Sequence, residues 1–227
     1  MSNLTKILAL AICCSFTACE RETEDSPQEA MVKIARAAGV DGFEAVDSMS
    51  YTFHADLGEK TVARSWVWLP ETDKVTLHGE TDSEDVSYLR SEVSSDETGK
   101  LATIDQQFVN DLYWLIFPLQ VAWDSGVVIE PLPEDAAGVV PEVPSGLRVR
   151  YSDGVGYTPG DVYDLFYDKD FRVTHWVFRK AGSAEPTRVS EWKDYQSFGP
   201  LSISLNRLSP DNSVRIWFDG VSVELAE

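Results

Sequence analysis

The chain has 227 residues, with 38 acidic side chains against 19 Lys and Arg, a formal charge of −19 and a pI near 4.4. That balance excludes a nucleic-acid binder, which needs clustered Lys and Arg for phosphate contacts, and a polybasic membrane-surface anchor. Apolar residues make up 43% and aromatics 11%, enough for a sizeable core, and the three Cys all fall in the first 19 positions, too few and too early for a disulfide framework.

At the N-terminus, Lys6 precedes an apolar run from Ile7 to Phe16, after which small residues lead to Cys19. This is a secretory signal, residues 1–18, and is shorter than the roughly 20 apolar residues of a membrane span. Phe16-Thr17-Ala18-Cys19 resembles the bacterial lipobox, although Phe16 stands where Leu is usual. The resemblance implies that Cys19 is acylated and becomes the mature N-terminus, a multi-chain anchor that holds stably to a bilayer. A mature chain starting at Cys19 keeps no other thiol, so thiol catalysis and Cys-based metal sites are not expected. Glu20, in place of the Asp linked with inner-membrane retention, implies an outer-membrane address, facing the periplasm or the cell surface. Residues 19–25 then form an acidic tether, and 26–227 a single folded domain.

Ser26-Pro27-Gln28-Glu29 is a capping-box start with Pro at the first helical position. Ala30, Ile34 and Ala37 recur at helical spacing, and Gly39 offers a stop, so a helix is predicted over Pro27 to Ala38. The period then changes to two. Strands are predicted at Ser50–Ala55, Thr61–Leu69, Lys74–Gly79 and Val86–Val93. A second helix is predicted over Ile104–Phe117, ended or kinked by Pro118. Strands resume at Gly126–Leu132, Gly146–Tyr151, Asp161–Asp168, Phe171–Lys180, Thr187–Phe198, Leu201–Leu208 and Val214–Leu225. The Pro-rich stretch from Pro131 to Pro144 reads as a surface loop. This is a mainly β (α+β) chain of about ten or eleven antiparallel strands and two helices.

A sheet that long must curl, close or split. Val62, Trp66 and Trp68 point one way in their strand, and Ala63, Val67 and Leu69 the other. Trp176 and Phe178 oppose Val173 and Val177, whereas Leu201, Ile203 and Leu205 alternate cleanly with Ser202, Ser204 and Asn206. A curved sheet wrapped around a helical segment suits both patterns; a flat two-sheet sandwich is the competing arrangement.

Trp66 and Trp68, with Arg64 beside them, would face the apolar end of the second helix, Trp114 to Phe117. With Trp176 and Phe178 these are the candidate ligand-binding residues. Two helices are too little bulk to fill so large a curl, so an apolar cavity for an acyl chain is expected, and the competing expectation is a core these aromatics fill themselves. Arg64 would meet a ligand carboxylate at the cavity mouth or form a salt bridge with one of the acids.

Nothing in the sequence points to catalysis, a cofactor or a metal. The glycine-dense segment Gly154 to Asp161 does not open a helix and reads as a turn, not a phosphate cradle. Asp161, Asp164, Asp168 and Asp170 lack Ca²⁺-loop spacing and read as a solvated hairpin tip. His54, His78 and His175 fall in separate strands without ligand partners at i+2 or i+4. No nucleophile elbow or zinc-protease motif occurs.

Three stretches look most like uncharacterised bacterial members of one group: Tyr113-Trp-Leu-Ile-Phe-Pro-Leu-Gln-Val-Ala-Trp-Asp-Ser-Gly126, Gly156-Tyr-Thr-Pro-Gly-Asp-Val-Tyr-Asp-Leu-Phe-Tyr167 and Trp192-Lys-Asp-Tyr-Gln-Ser-Phe-Gly199. Together with the order of elements they resemble the LolA/LolB-like lipoprotein-carrier superfamily, over about Ser26 to Leu225. The resemblance implies an unclosed β-barrel with a helical lid and an apolar interior that holds lipid chains. It implies partners in the membrane, through the N-terminal lipid, and in lipid or acylated ligands. Arg64 is similar in placement to the inward-facing arginine of the carriers. Three functions are therefore weighed: first, a non-catalytic, outer-membrane-anchored binder of acyl chains or another apolar ligand, with a role in lipoprotein or lipid trafficking; second, a structural lipoprotein with a packed core and an envelope protein partner; third, an enzyme acting on envelope material through a His or carboxylate site assembled in space.

Overall fold

A computed structural model describes residues 25–79, 83–134, 136, 139–140, 145–152 and 159–226. Residues 1–24, which include the expected signal segment, Cys19 and the expected tether before Asp25, lie outside the described residues, as do 153–158 of the glycine-dense segment.

The first helix, α1 (Pro27–Ala38), begins on the expected capping box: Ser26 Oγ accepts from the Glu29 amide at 3.3 Å, and Glu29 Oε2 accepts from the Ser26 amide at 2.9 Å. It stops at Gly39, whose φ of +101° and whose approach to Pro200 leave no room for a side chain. Its buried face is Ala30, Met31, Ile34, Ala35 and Ala38.

The strands follow as β1 (Val46–Asp56), β2 (Thr61–Leu69), β3 (Lys74–Leu77) and β4 (Val86–Leu89), then a short 3-10 segment (Arg90–Ser95) and the helix α2 (Lys100–Trp123). After it come β5 (Val127–Pro131), β6 (Ser145–Tyr151), β7 (Val162–Tyr167), β8 (Val173–Arg179), β9 (Arg188–Phe198), β10 (Leu201–Leu208) and β11 (Arg215–Leu225). All eleven strands form one antiparallel sheet in the order β4-β3-β2-β1-β11-β10-β9-β8-β7-β6-β5. The sheet does not close, because β4 and β5 remain edges. The two-sheet sandwich is thereby excluded.

α2 carries the chain from one edge to the other. At 1.5 Å per residue its 24 residues span about 36 Å. Eleven strands at about 4.8 Å spacing would extend about 48 Å if laid flat. The helix packs in one core with strands from both halves of the sheet, so the sheet bends around it. One continuous core results, running from Tyr88 on β4 through Trp66, Phe108, Leu115 and Phe117 to Leu147 and Val149 on β6. No helix among the described residues is long and apolar enough to cross a membrane.

Two strand patterns differ from expectation. A bulge between Phe166 and Tyr167 of β7 and the start of β8 shifts the register, so Val173 joins the main core with Trp176 instead of opposing it. In β10, Ser204 is buried, not outward: its hydroxyl donates to the Lys193 carbonyl and accepts from Arg207.

The stretch after β5 also departs from a plain surface loop. Its Ala136 and Val140 are buried, and Val140 packs on Phe166 and Val177 as a small cluster apart from the main core.

Candidate functional site

The concave face of the sheet and α2 form the site. Residues 114–119 of α2 are buried without interruption, so this half of the helix is apolar on every side and needs an apolar environment all round. Pro118 does not end the helix. Instead Ile116 takes a non-helical conformation (φ −124°, ψ 25°) and the helix continues to Trp123.

Polar contacts pin α2 along its length to both halves of the sheet. Near its start, Asp105 accepts from Arg90 at 2.8 Å and from the Tyr88 hydroxyl at 3.0 Å. Two turns on, the fully buried Asp111 accepts from Arg64 Nε at 2.7 Å, Arg64 Nη2 at 2.6 Å and the Trp66 indole at 2.9 Å. At the kink, Arg207 Nη2 of β10 donates to the Trp114 carbonyl at 2.6 Å. Beyond its end, Asp124 accepts from the hydroxyls of Tyr113 at 2.5 Å and Tyr151 at 2.8 Å. Burial, and then the Asp124 carboxylate, push the Tyr113 hydroxyl above its ordinary pKa; burial does the same to Tyr151.

The sequence-derived candidates are therefore brought together, but as a packed assembly. Trp66, Trp68, Trp114, Phe117 and Trp176 are all buried in the main core, and Phe178 packs against it half-buried. Trp66 and Trp68 meet Phe108 edge-on at 5.5 and 6.0 Å, and Trp176 meets Trp114 at 4.4 Å and Phe117 at 5.2 Å. Arg64 is committed to Asp111, the salt-bridge alternative, with its side chain one-fifth exposed.

Among the described residues, these aromatics fill the space between α2 and the sheet where a ligand-sized hollow is expected. The crevice between α1, the α2 kink and β8–β10, lined by Ile34, Ile116, Val173, Trp192, Tyr195 and Ile203, holds about 10 Å³, room for one water-sized atom. The bulk that was expected to be missing is supplied by large side chains of α2. A wider trough of about 950 Å³ lies open to solvent between β2–β4 and the start of α2, lined by Arg64, Leu77, His78, Val86, Lys100 and Ile104 among others.

The histidines are not grouped. His54 pairs with Asp219 at 2.9 Å and stacks on Trp217, His78 pairs with Asp85 at 2.9 Å, and His175 faces Glu191 at 3.7 Å. Among the described residues no cluster of three metal-ligating side chains occurs. Of the four aspartates read as a hairpin tip, Asp168 does organise that turn by accepting from the amides of Asp170 and Arg172. Asp161 and Asp164 are instead buried: Asp164 accepts from Arg148 at 2.5 Å and Arg179 at 3.2 Å, and Asp161 caps the Ala181 amide at 2.8 Å.

Sequence reasoning missed Arg207, Asp105 and Asp111. Arg207 continues the Leu201, Ile203, Leu205 alternation in phase, which was the available signal for an inward side chain. Asp105 and Asp111 sit beside Ile104, Phe108 and Leu112 on the helix, inside the apolar stripe.

No protein-family model matches this sequence, and no curated protein matches it either. Two solved structures are similar in backbone course. One is a DUF1329 family protein from Desulfovibrio piger, 10% identical over 89% of this chain and 95% of that one, with a TM-score of 0.44. The other is a putative outer membrane lipoprotein-sorting protein domain from Vibrio parahaemolyticus, 11% identical over 88% and 94% of the two chains, with a TM-score of 0.45.

Proposed function

We propose that the protein is a non-catalytic binder of apolar, acyl-type ligands, anchored to the outer membrane through Cys19, whose ligand takes the space that the second half of α2 fills in the described form. The supporting observation is the placement of that half. A segment apolar on all sides, broken at Ile116, lies in the hollow of a sheet whose edges are not joined. Moving it aside would expose a trough walled by Trp66, Trp68, Trp176 and Phe117's former neighbours, while the sheet's own hydrogen bonds stay intact. α2 then acts as a plug that an acyl chain replaces, exchanging one apolar contact surface for another at small net cost. A role in lipoprotein or lipid trafficking belongs to this reading.

Protein purified from its native membrane should carry co-purifying lipid, detectable by mass spectrometry after denaturation. Cells fed an alkyne-bearing fatty acid should label the protein, and Cys19→Ala should abolish the label. Protein free of lipid that fails to take up a fluorescent fatty acid at micromolar concentration would contradict the reading.

The closeness of the interior, with its crevice of about 10 Å³, favours a second reading: a packed structural lipoprotein whose surface meets an envelope protein. Crosslinking in cells would then give one dominant protein partner, and no lipid would co-purify.

A further inference from the structure

Five buried side-chain polar atoms among the described residues have no hydrogen-bond partner, and three of them are donors of one aromatic stack: Arg207 Nε, Trp176 Nε1 and Trp192 Nε1. The Arg207 guanidinium lies 3.8 Å over the Trp192 ring and 5.4 Å from that of Phe218, and Trp192 meets Trp176 at 5.5 Å. Arg207 is 1% exposed. Its other nitrogens donate to neutral acceptors only, the Ser204 carbonyl and hydroxyl and the Trp114 carbonyl.

The other arginines that reach a buried carboxylate, of which only Arg179 is itself buried, are all ion-paired. Arg64 has Asp111, Arg90 has Asp105, and Arg148 and Arg179 share Asp164. Among the described residues no carboxylate lies within ion-pair distance of Arg207, in a chain with 38 acids to draw on. A buried cation without a counter-ion is costly, and so is a buried N–H without an acceptor. Burial lowers the Arg207 pKa to about 9, which expresses the same deficit. Cation–π contact with Trp192 offsets part of it. Unpaired donors in one aromatic stack with a single positive charge suit a ligand that only accepts and carries one negative charge.

We propose that Arg207, with the indole N–H groups of Trp176 and Trp192, recognises the carboxylate of a free fatty acid. This rests on the apolar-ligand reading above and names its head group. Trp192 lines the crevice beside the α2 kink, so a head group entering there follows the path that displacement of α2 opens for the chain. The single charge and planar shape suit a carboxylate; a phosphate monoester would bring more charge than one guanidinium balances, and a phosphodiester is tetrahedral and bulkier. An esterified acyl chain, as in a phospholipid, lacks the anion and is disfavoured.

The test is calorimetric titration of the full chain carrying Cys19→Ser, which keeps it free of attached lipid, with dodecanoate and with methyl dodecanoate. Dodecanoate should bind at least about 10-fold more tightly. Arg207→Met should remove that preference, read as the ratio of the two affinities within the variant, and Trp192→Phe, which keeps an aromatic ring but removes an N–H, should reduce it. In spectra of ¹⁵N-indole-labelled protein, dodecanoate should shift the Trp176 and Trp192 N–H resonances downfield. Equal affinity for acid and ester, or a preference that survives Arg207→Met, overturns the carboxylate site while leaving chain binding in place. Indole resonances that ignore dodecanoate while it binds overturn it too, and a crevice water then accounts for the free donors. Failure of both ligands to bind overturns the apolar-ligand reading itself, and the head-group site with it.

Discussion

Arg207 on β10 donates to the carbonyl of Trp114, the acceptor whose ordinary helical donor would be the amide of residue 118, which in proline does not exist. A side chain from the sheet thus completes the backbone of the helix that fills it. The consequence is a specific coupling. Arg207→Met alone leaves the Trp114 carbonyl buried without this donor. Pro118→Ala restores a local N–H that takes over. In urea denaturation, Pro118→Ala should rescue Arg207→Met with a coupling free energy of about 1–2 kcal/mol. Additivity within about 0.5 kcal/mol would mean that the contact is incidental.

Asp111 is the strongest anchor of α2, since it serves Arg64 and the Trp66 indole together. Asp111→Ala strands a partly buried guanidinium and a buried N–H, and should destabilise the fold by roughly 3–5 kcal/mol. Adding Arg64→Met should recover a large part of that loss, because an unpaired charge is then no longer buried. Thermal or urea midpoints of the two variants check this.

Asp164 does the same work between β6, β7 and β8, holding Arg148 and Arg179. Asp164→Ala should likewise lower stability by roughly 3–5 kcal/mol. Phe166→Ala, which empties the fully buried ring position under Val140, should cost about 3–5 kcal/mol. If the segment after β5 were only a solvated loop, Val140→Asp would be neutral; it is expected to destabilise measurably.

Burial lowers the pKa of His175 below its ordinary value of 6.5, and this outweighs the opposing pull of Glu191. The native state then binds fewer protons here than the unfolded chain, so this contribution to stability is present above about pH 6.5 and falls as the pH drops below it. Glu191, held low by Lys193 and His175, contributes a loss of the same sign at lower pH, below the ordinary carboxylate value of 4.5. His175→Gln should flatten the stability slope just below about pH 6.5, and leave the steeper acid limb in place. Denaturation midpoints across that range report it.

The local signals in the sequence were sufficient for most of the elements. The capping box and Gly39 fix α1 at its observed ends, and the period-two runs place β2 and β10 residue for residue. What failed did so for reasons that are not local. Pro118 reads as an end or a kink, and local sequence does not choose between them; the helix kinks at Ile116 and continues, with Arg207, 89 positions further on, donating to the Trp114 carbonyl. Val173 changes face through a bulge that alternation does not announce. Asp105, Asp111 and Asp164 look like ordinary solvated acids in so acidic a chain; only the pairing of strands and helix shows that arginines meet them inside. The number of helices does not set the free volume; buried Trp114, Leu115 and Phe117 take it up.

The most direct test of a displaceable plug is amide hydrogen exchange of residues 114–121, measured by mass spectrometry with and without saturating dodecanoate. The plug account expects these amides to exchange faster when ligand is bound, while those of β1, β10 and β11 hold or gain protection. Ligand bound with protection of 114–121 unchanged or increased would contradict it.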